Sequence, residues 1–306
     1  MNVVSLLPSA TEIVHGLGHS NWLTGRSHEC DFPTNIDTVP IVTYATIDTT
    51  ASSRSIDIAV KKRLSQSLSL YGIEKERLRA AEPDVIITQT QCDVCAVSLR
   101  DVQAFLKDDL DINAELVVLE PHRLEDIWTD IHRVSKALHQ PNDGVGLVDQ
   151  LKKRLDAIAR ESHALEPPSV AMIEWIDPLM AAGNWIPELV KTAGGTNLFG
   201  KTGYHSGWLE WETLKEADPD VIVVAPCGFD LQRTLQEIET LERLEGWPQL
   251  RAVRNHRVYA VDGNAFLNRP GPRLVESAEI LAEILHPKVF SFGHSNQDWL
   301  PVSPNI

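Results

Sequence analysis

At 306 residues the chain is long enough for two domains of ordinary size, each with its own core. Its 43% hydrophobic and 23% charged content is that of a soluble globular protein, and no run of about eighteen apolar residues is present to span a bilayer. A net charge of −15 argues against nucleic acid as a partner, since a phosphate-binding surface wants a basic face, and four cysteines are too few for a disulfide scaffold.

Met1 to Leu7 has no basic leader and reads as the first strand, closed by Pro8. A cytoplasmic location is expected on that ground, with a periplasmic one as the alternative if a leader has been removed. Ser9 and Glu12 have the spacing of a capping box for a helix that ends at Gly16-Leu17-Gly18. A second strand is expected over 22–25, then a loop, Arg26-Ser27-His28-Glu29-Cys30-Asp31-Phe32-Pro33. Residues 34–55, rich in Thr, Ser and Asp, look irregular, and 56–71 has helical spacing. A short helix over 74–81 leads into a strand at 85–88, followed by Gln89-Thr90-Gln91-Cys92-Asp93-Val94-Cys95. Helix 96–107, strand 116–119 and helix 124–138 complete an alternating pattern that calls for a mostly parallel sheet with helices on both faces.

Residues 143–165 form the centre of the chain. Val148, Leu151, Leu155 and Ile158 recur at steps of three and four, one buried stripe on a helix roughly 30 Å long at about 1.5 Å per residue. Gly144 and Gly146 mark its entry, and Pro167-Pro168 stop it. After it come strand 170–175, helix 187–193 with Pro187 in its first turn, strand 221–225, helix 230–244, strand 257–261 and helix 272–285. The Pro-, Ser- and Asn-rich tail from His286 is expected to lie along the surface.

The two sides of the central helix resemble each other. Glu76-Arg77-Leu78-Arg79-Ala80-Ala81-Glu82-Pro83-Asp84-Val85-Ile86 on one side matches Glu212-Thr213-Leu214-Lys215-Glu216-Ala217-Asp218-Pro219-Asp220-Val221-Ile222 on the other. In both, a Glu stands seven positions before the Pro, and Pro-Asp-Val-Ile opens an apolar strand. Duplication is the better reading of this match. The expected fold class is therefore α/β, two Rossmann-like lobes with mostly parallel sheets joined by a single long backbone helix. The lobes are expected at 1–142 and 167–306, with the connecting helix at 143–166.

Ligands of open α/β sheets bind beyond the carboxyl ends of the strands, which here means loops 26–33, 89–95, 176–186, 203–208, 226–229 and 262–270. Trp175, Trp185, Tyr204, Trp208 and Phe229 make the second set of loops ring-rich, which suits a large planar ligand. The bland reading, that such rings pack the lobe's own core, carries even odds for any one Trp. His28, Glu29, Gln91, Asn184, His205 and Asn264 are the polar candidates on the same loops. Cys92 and Cys95, with Cys30 on the neighbouring loop, offer three soft thiolates for zinc, copper(I) or an iron–sulfur centre, with His28 or Glu29 as a fourth donor. Against this stands the reading that these cysteines are small packing residues.

Read in order, Ser5-Leu6-Leu7-Pro8-Ser9-Ala10-Thr11-Glu12, the loop from Gly25 to Asp31, the two Glu-to-Pro junctions and the central helix make residues 3–285 resemble the class III substrate-binding proteins of ABC transporters. These are the helical-backbone metal receptor superfamily, and the likeness is greatest to its cobalamin-binding members. The resemblance implies a non-enzymatic, monomeric protein holding a cobalamin-like corrinoid or a metal chelate between its lobes. It also implies that Glu76 and Glu212, one per lobe, meet arginines of a transporter permease. The bland reading is that both acids favour the first turn of a short helix. A cytoplasmic metal or corrinoid carrier, and a metal-dependent enzyme using Cys30, Cys92 and Cys95, are the alternatives.

Overall fold

Val3–Ser5 and Val85–Gln89 are buried along their whole length, as strands covered on both faces by helices must be. The computed structural model describes residues 1–66, 68–90, 99–108 and 113–302. By its internal contacts the chain divides into a first unit, Met1–Ala51 with Ser55–Pro121 and Glu125–Gln150, and a second, Leu151–Ile306 with Ser52–Arg54 and His122–Leu124.

The first unit contains β1 (Val3–Ser5), α1 (Pro8–Gly16), β2 (Leu23–Arg26), β3 (Thr43–Ala45), most of α2 (Ser53–Ser65), β4 (Tyr71–Ile73), α3 (Lys75–Ala80), β5 (Val85–Gln89), α4 (Leu99–Asp108), β6 (Glu115–Leu119) and nearly all of α5 (Leu124–Ala137). Its parallel sheet runs β2-β1-β5-β6, and β3 and β4 form a separate antiparallel ribbon. Val4, Leu6, Leu78, Ile86, Val102 and Phe105 close a core on the sheet. Three local expectations need correction. Pro8, whose fixed φ suits a first helical turn, opens α1, so Ser9 lies inside the helix and Leu7 caps it with no side-chain bond. The stretch 34–55 is not wholly irregular, since it holds β3 and the start of α2. The helix expected over 56–71 stops at Ser65, and Tyr71 begins β4.

α6 (Pro141–Ser162) is one unbroken helix of 22 residues, and the boundary between the two units falls inside it, between Gln150 and Leu151. Val148, Leu151, Leu155 and Ile158 are all buried, as their spacing predicts. Gly144 does not mark an entry. It lies within α6, where a Cβ would come 2.1 Å from Ser135 Oγ of α5, so the close approach of the two helices requires glycine there.

The second unit contains β7 (Ser169–Trp175), β8 (Met180–Ala181), α7 (Ile186–Thr192), β9 (Thr196–Asn197), β10 (Gly207–Trp208), α8 (Trp211–Ala217), β11 (Val221–Val224), α9 (Leu231–Glu242), α10 (Arg251–Arg254), β12 (Val258–Val261), α11 (Leu274–Leu285) and β13 (Trp299–Pro301). Its sheet runs β10-β8-β7-β11-β12-β13 with β9 against β7; β7, β9, β11 and β12 are parallel, and β8, β10 and β13 are antiparallel additions. Ile173, Ile222, Val224, Leu214, Ile238 and Trp247 are among its core residues.

The repeated Pro-Asp has the same task in both units. Asp84 Oδ2 accepts the backbone N–H of Asn2, 2.7 Å away, at the entry to β1. Asp220 Oδ2 accepts the N–H of Ser169 at 2.9 Å and its hydroxyl at 2.7 Å, at the entry to β7. The next residues are then in register, Val85 with Val3 and Val221 with Val170. The Ser169 amide and hydroxyl, with Arg251 beside them, hold the Asp220 carboxyl down to about 2.

The tail is not a loose surface segment. β13 pairs with β12, Trp299 packs edge-on against Tyr259 and is buried, and its indole N–H donates to Glu283 at 2.9 Å. Glu283 also accepts the amides of Phe292 and Gly293. His294 lies between Asp298, 2.7 Å from Nδ1, and Glu279, 3.2 Å from Nε2, and Glu279 is bound in turn by Arg154 of α6 at 2.8 Å. Burial opposes the imidazolium, but the two carboxylates outweigh it and raise its pKa to about 9. A raised pKa stabilises the fold fully below the ordinary value of 6.5, and the contribution is lost as pH rises through about 9. Thermal melts across that window should show a decline on the order of 1–2 kcal/mol, after discounting for partial exposure. His294→Gln should remove the decline, and a variant that keeps the parent's slope would exclude His294 as its source.

Candidate functional site

At the carboxyl end of the first unit's sheet, the loop after β2 is tied down by Arg26. Its guanidinium, nearly buried, donates to the Cys30 carbonyl at 2.6 Å, the Val39 carbonyl at 3.0 Å and Asp37 at 2.9 Å. This fixes His28, Glu29 and Cys30 on a short bend. The His28 amide donates to Thr43 Oγ1 at 3.0 Å, and its Nδ1 lies 2.7 Å from the same oxygen. Thr43 donates its own hydroxyl hydrogen to Ser27 Oγ at 3.2 Å. Tyr71 packs tilted against the imidazole, 5.2 Å between centroids. Glu29 Oε1 is 3.4 Å from His28 Nε2.

Cys30 is 2% exposed, with Sγ 3.1 Å from Thr11 Oγ1. Thr11 donates to Ser5 at 2.8 Å, and Ser5 to the Leu7 carbonyl at 2.9 Å. The thiol is thus packed among hydroxyls. Gln91, Cys92 and Cys95 lie outside the described residues. Among the described residues no group of three or more His, Cys, Asp and Glu is placed to hold a metal ion, and the thiolate centre has no support.

The corresponding edge of the second unit is aromatic. Trp175, at the end of β7, packs against Phe229, 5.2 Å between centroids, and the Arg233 guanidinium lies 3.6 Å over the other ring contact of this stack, Phe229. The Trp175 indole N–H is buried without a hydrogen-bond partner. Asn264 donates its amide to the Phe229 carbonyl at 3.0 Å, which ties the loop after β12 to the same place. Asp262, at the end of β12, has its pKa raised by burial against the opposing amides of Ala265 and Asn264. On the edge beside β10, Tyr204 is 65% exposed and Trp208 58% exposed, and His205 between them is exposed too.

Two of the ring candidates are core residues. Trp185 is only 3% exposed and donates its indole N–H to the Leu267 carbonyl at 2.7 Å. Phe229 is buried to 2% beneath Trp175 and Arg233, so it supports that wall without forming its face. Asn184 is buried with a positive φ of 51°, a conformation asparagine tolerates better than most residues. Its amide donates to the Tyr204 carbonyl at 2.7 Å and its carbonyl accepts from Gly203 at 3.0 Å, so it positions the 203–208 loop. Glu174, through Ser206 Oγ at 2.8 Å, holds the same loop.

Glu76 lies in the first turn of α3 and Glu212 in that of α8. Both are exposed, and each faces a basic residue three positions on, Arg79 at 3.9 Å and Lys215 at 2.7 Å. Sequence reasoning missed Thr43, which fixes His28 from a stretch read as irregular, and Arg233, which lies over Phe229. The Asp230 N-cap of α9, accepting the Arg233 amide at 2.8 Å, is the one local signal that marks that turn.

The chain belongs to the periplasmic binding protein family, whose model matches residues 3–265. An ABC transporter substrate-binding lipoprotein of Bacillus subtilis strain 168, YvrC, is 24% identical over 94% of this chain and 81% of its own length. The vitamin B12-binding protein of Vibrio parahaemolyticus is 22% identical over 90% of this chain and 86% of its own. Among solved structures, the periplasmic haem-binding protein RhuT of Roseiflexus superposes with a TM-score of 0.69 at 20% identity, covering 94% of this chain and 98% of that one. The protein is thus a ligand-binding protein of ABC-type uptake and not an enzyme. The expected cytoplasmic location is corrected by the same findings, because the relatives that share nearly the whole chain are a lipoprotein and periplasmic proteins. That β1 begins at Val3 says nothing about a leader.

The division between core and surface rings is testable without a ligand. Trp185→Phe leaves the buried Leu267 carbonyl without its donor and should lower stability by about 1–3 kcal/mol. Trp208→Ala should change the unfolding free energy by no more than about 0.5 kcal/mol. Equal effects in urea unfolding would show that this assignment of roles is wrong.

Proposed function

We propose that the ligand is a cobalamin-like corrinoid, or another planar metal chelate of similar size such as haem, and that the protein passes it to an ABC permease from outside the cytoplasmic membrane. The observation that carries this reading is the pair of exposed rings, Tyr204 and Trp208, on a loop anchored by Asn184 and Glu174. Large exposed aromatics on a rigidly held turn offer contact area to a flat ligand at little conformational cost. Trp175, half-buried with an unused indole N–H, adds a hydrogen-bond donor to the same edge of the unit. The vitamin B12-binding relatives support the corrinoid, and the haem-binding fold relative supports the wider class of metal chelates.

His28, Glu29, His205 and Asn264 belong to this reading as polar contacts, and Asn184 as a positioning residue. Titration of the purified protein with cyanocobalamin and with haem, followed by tryptophan quenching, tests it. The expected result is saturable binding of at least one of them, weakened about tenfold or more by Tyr204→Ala with Trp208→Ala, since truncating a contacting aromatic commonly costs over 1 kcal/mol. Failure of the parent protein to bind either compound overturns the reading.

Docking is assigned to Glu76 and Glu212. Their exposed intrahelical pairs are worth only about 0.3–0.5 kcal/mol each, so an arginine of a permease can take either carboxylate over at little cost. Glu76→Lys with Glu212→Lys should abolish stimulation of a reconstituted transporter's ATPase while leaving ligand affinity within about twofold. Undiminished stimulation by the double variant would remove both residues from the docking surface.

A further inference from the structure

The second unit takes in two short stretches from the first half of the sequence, Ser52–Arg54 and His122–Leu124. Each is fixed in the same way, by a carboxylate that accepts an N–H at the start of a helix. Glu188 Oε2 accepts that of Leu124, the first residue of α5, at 3.0 Å. Glu237 accepts that of Ser53, the first residue of α2, at 3.3 Å and the Ser53 hydroxyl at 2.9 Å. Bonds to an ionised acceptor are of the stronger kind, and an acid is favoured at a helix start. Each stretch then sets an arginine against a loop at the carboxyl end of the sheet: Arg54 reaches Asp177 at 3.3 Å, and Arg123 lies against Gly203. The first contact is an ion pair with the Arg54 side chain largely exposed, which holds little. The second is packing that only glycine permits, since a Cβ at 203 would come 2.5 Å from Arg123 Nε and 3.1 Å from its Cζ and Nη2.

Gly203 stands directly before Tyr204 with a φ of +77°, and glycine is the residue whose backbone turns most freely. Its N–H donates to the Asn184 carbonyl at 3.0 Å, and Glu188 lies in the first turn of the helix that follows Asn184. The contacts close a circuit. Asn184 bonds Gly203, Gly203 packs on Arg123, and the next residue, Leu124, bonds Glu188. A glycine covered in this way changes its φ only by displacing the guanidinium. The guanidinium is kept beside it because the amide of the following residue is tied down. We propose that Arg123 is a positioning residue for ligand binding: placed by Glu188, it covers Gly203 and so sets where the rings of Tyr204 and Trp208 stand. This rests on the reading of those two rings as the ligand's contacts.

Fluorine NMR of the protein grown on fluorotryptophan, with the Trp208 signal assigned through Trp208→Phe, reads the loop without any ligand. Arg123→Ala should shift and broaden that signal while the denaturant midpoint of unfolding stays at the parent's value. Glu188→Ala should shift it likewise, and the two substitutions together should do no more than either alone, because they act through one contact. An unmoved signal in Arg123→Ala, or effects that simply add, overturns the circuit. Titration with cyanocobalamin and with haem then reads the consequence. Whichever compound the parent binds, Arg123→Ala should bind about fivefold more weakly. In a protein that already carries Tyr204→Ala and Trp208→Ala, the same substitution should cost nothing further. An undiminished loss in that background means that Arg123 meets the ligand itself, and unchanged affinity in the Arg123→Ala single variant means that the loop's position is immaterial; either overturns the positioning role and leaves the function standing. If the parent binds neither compound, the functional reading fails and Arg123's part in binding falls with it, whatever the fluorine signal shows of the loop.

Discussion

A carboxylate that accepts the amide at the entry of the neighbouring central strand sets the register of the parallel strands in both sheets. Parallel strands arrive from distant parts of the chain and no tight turn fixes how they align, so the alignment has to be set by side chains or by core packing. Asp84 and Asp220 do it at the same point in each unit, one residue before the first paired valine. The proline before each acid ends the preceding short helix and directs the chain into the strand. Once the entry is fixed, the exit follows, because the strands are short and each rises about 3.3 Å per residue. The loops that carry the candidate site are therefore placed from the opposite end of the sheet.

What the two sheets present at those exits differs in chemistry. The first unit ends in hydroxyls and nitrogens arranged in short relays, Cys30 to Thr11 to Ser5 and His28 with Thr43 and Ser27, nearly all of them buried. Buried polar groups are tolerated only when bonded, so these relays leave few conformations open to the loop. The second unit ends in rings, with Trp175 over Phe229 and Arg233 and with Tyr204 and Trp208 in solvent. A rigid polar edge can supply a directed bond, whereas an aromatic edge supplies area with little angular demand.

Much of the fold is legible in the residues themselves. The stripe of Val148, Leu151, Leu155 and Ile158, the paired Pro-Asp junctions and the alternation of apolar runs with helical spacing all describe local physics that the structure retains. The misreadings arise where a distant partner outweighs the local signal. Gly144 looks like a helix entry, and only Ser135 on another helix explains it. The tail has the composition of a surface segment, yet Glu283, Glu279 and Arg154 pull it onto the sheet edge. The site was less legible for the same reason. Nothing in the local sequence separates Trp185, whose indole finds a carbonyl 82 positions away, from Trp208, which is 58% exposed. Cys30 has the spacing of a ligand, and only the structure shows it buried against Thr11 on another element.

The net charge of −15 is not spread evenly as a solvated coat. Asp84, Asp220, Glu279 and Glu283 accept amides, hydroxyls, an indole, a guanidinium or an imidazolium, and each is tied to a particular strand or tail contact. Removing any of them would leave a donor unpaired, so these acids cannot serve a transient partner without loosening the fold. Glu76 and Glu212 are of the other kind: exposed, on short helices, and each paired with a flexible basic side chain three residues on. Exposed pairs of this sort exchange partners at little cost. The repeat thus places two acids eight residues apart in each half: the one at the strand entry belongs to the fold, and the one at the helix start is exposed.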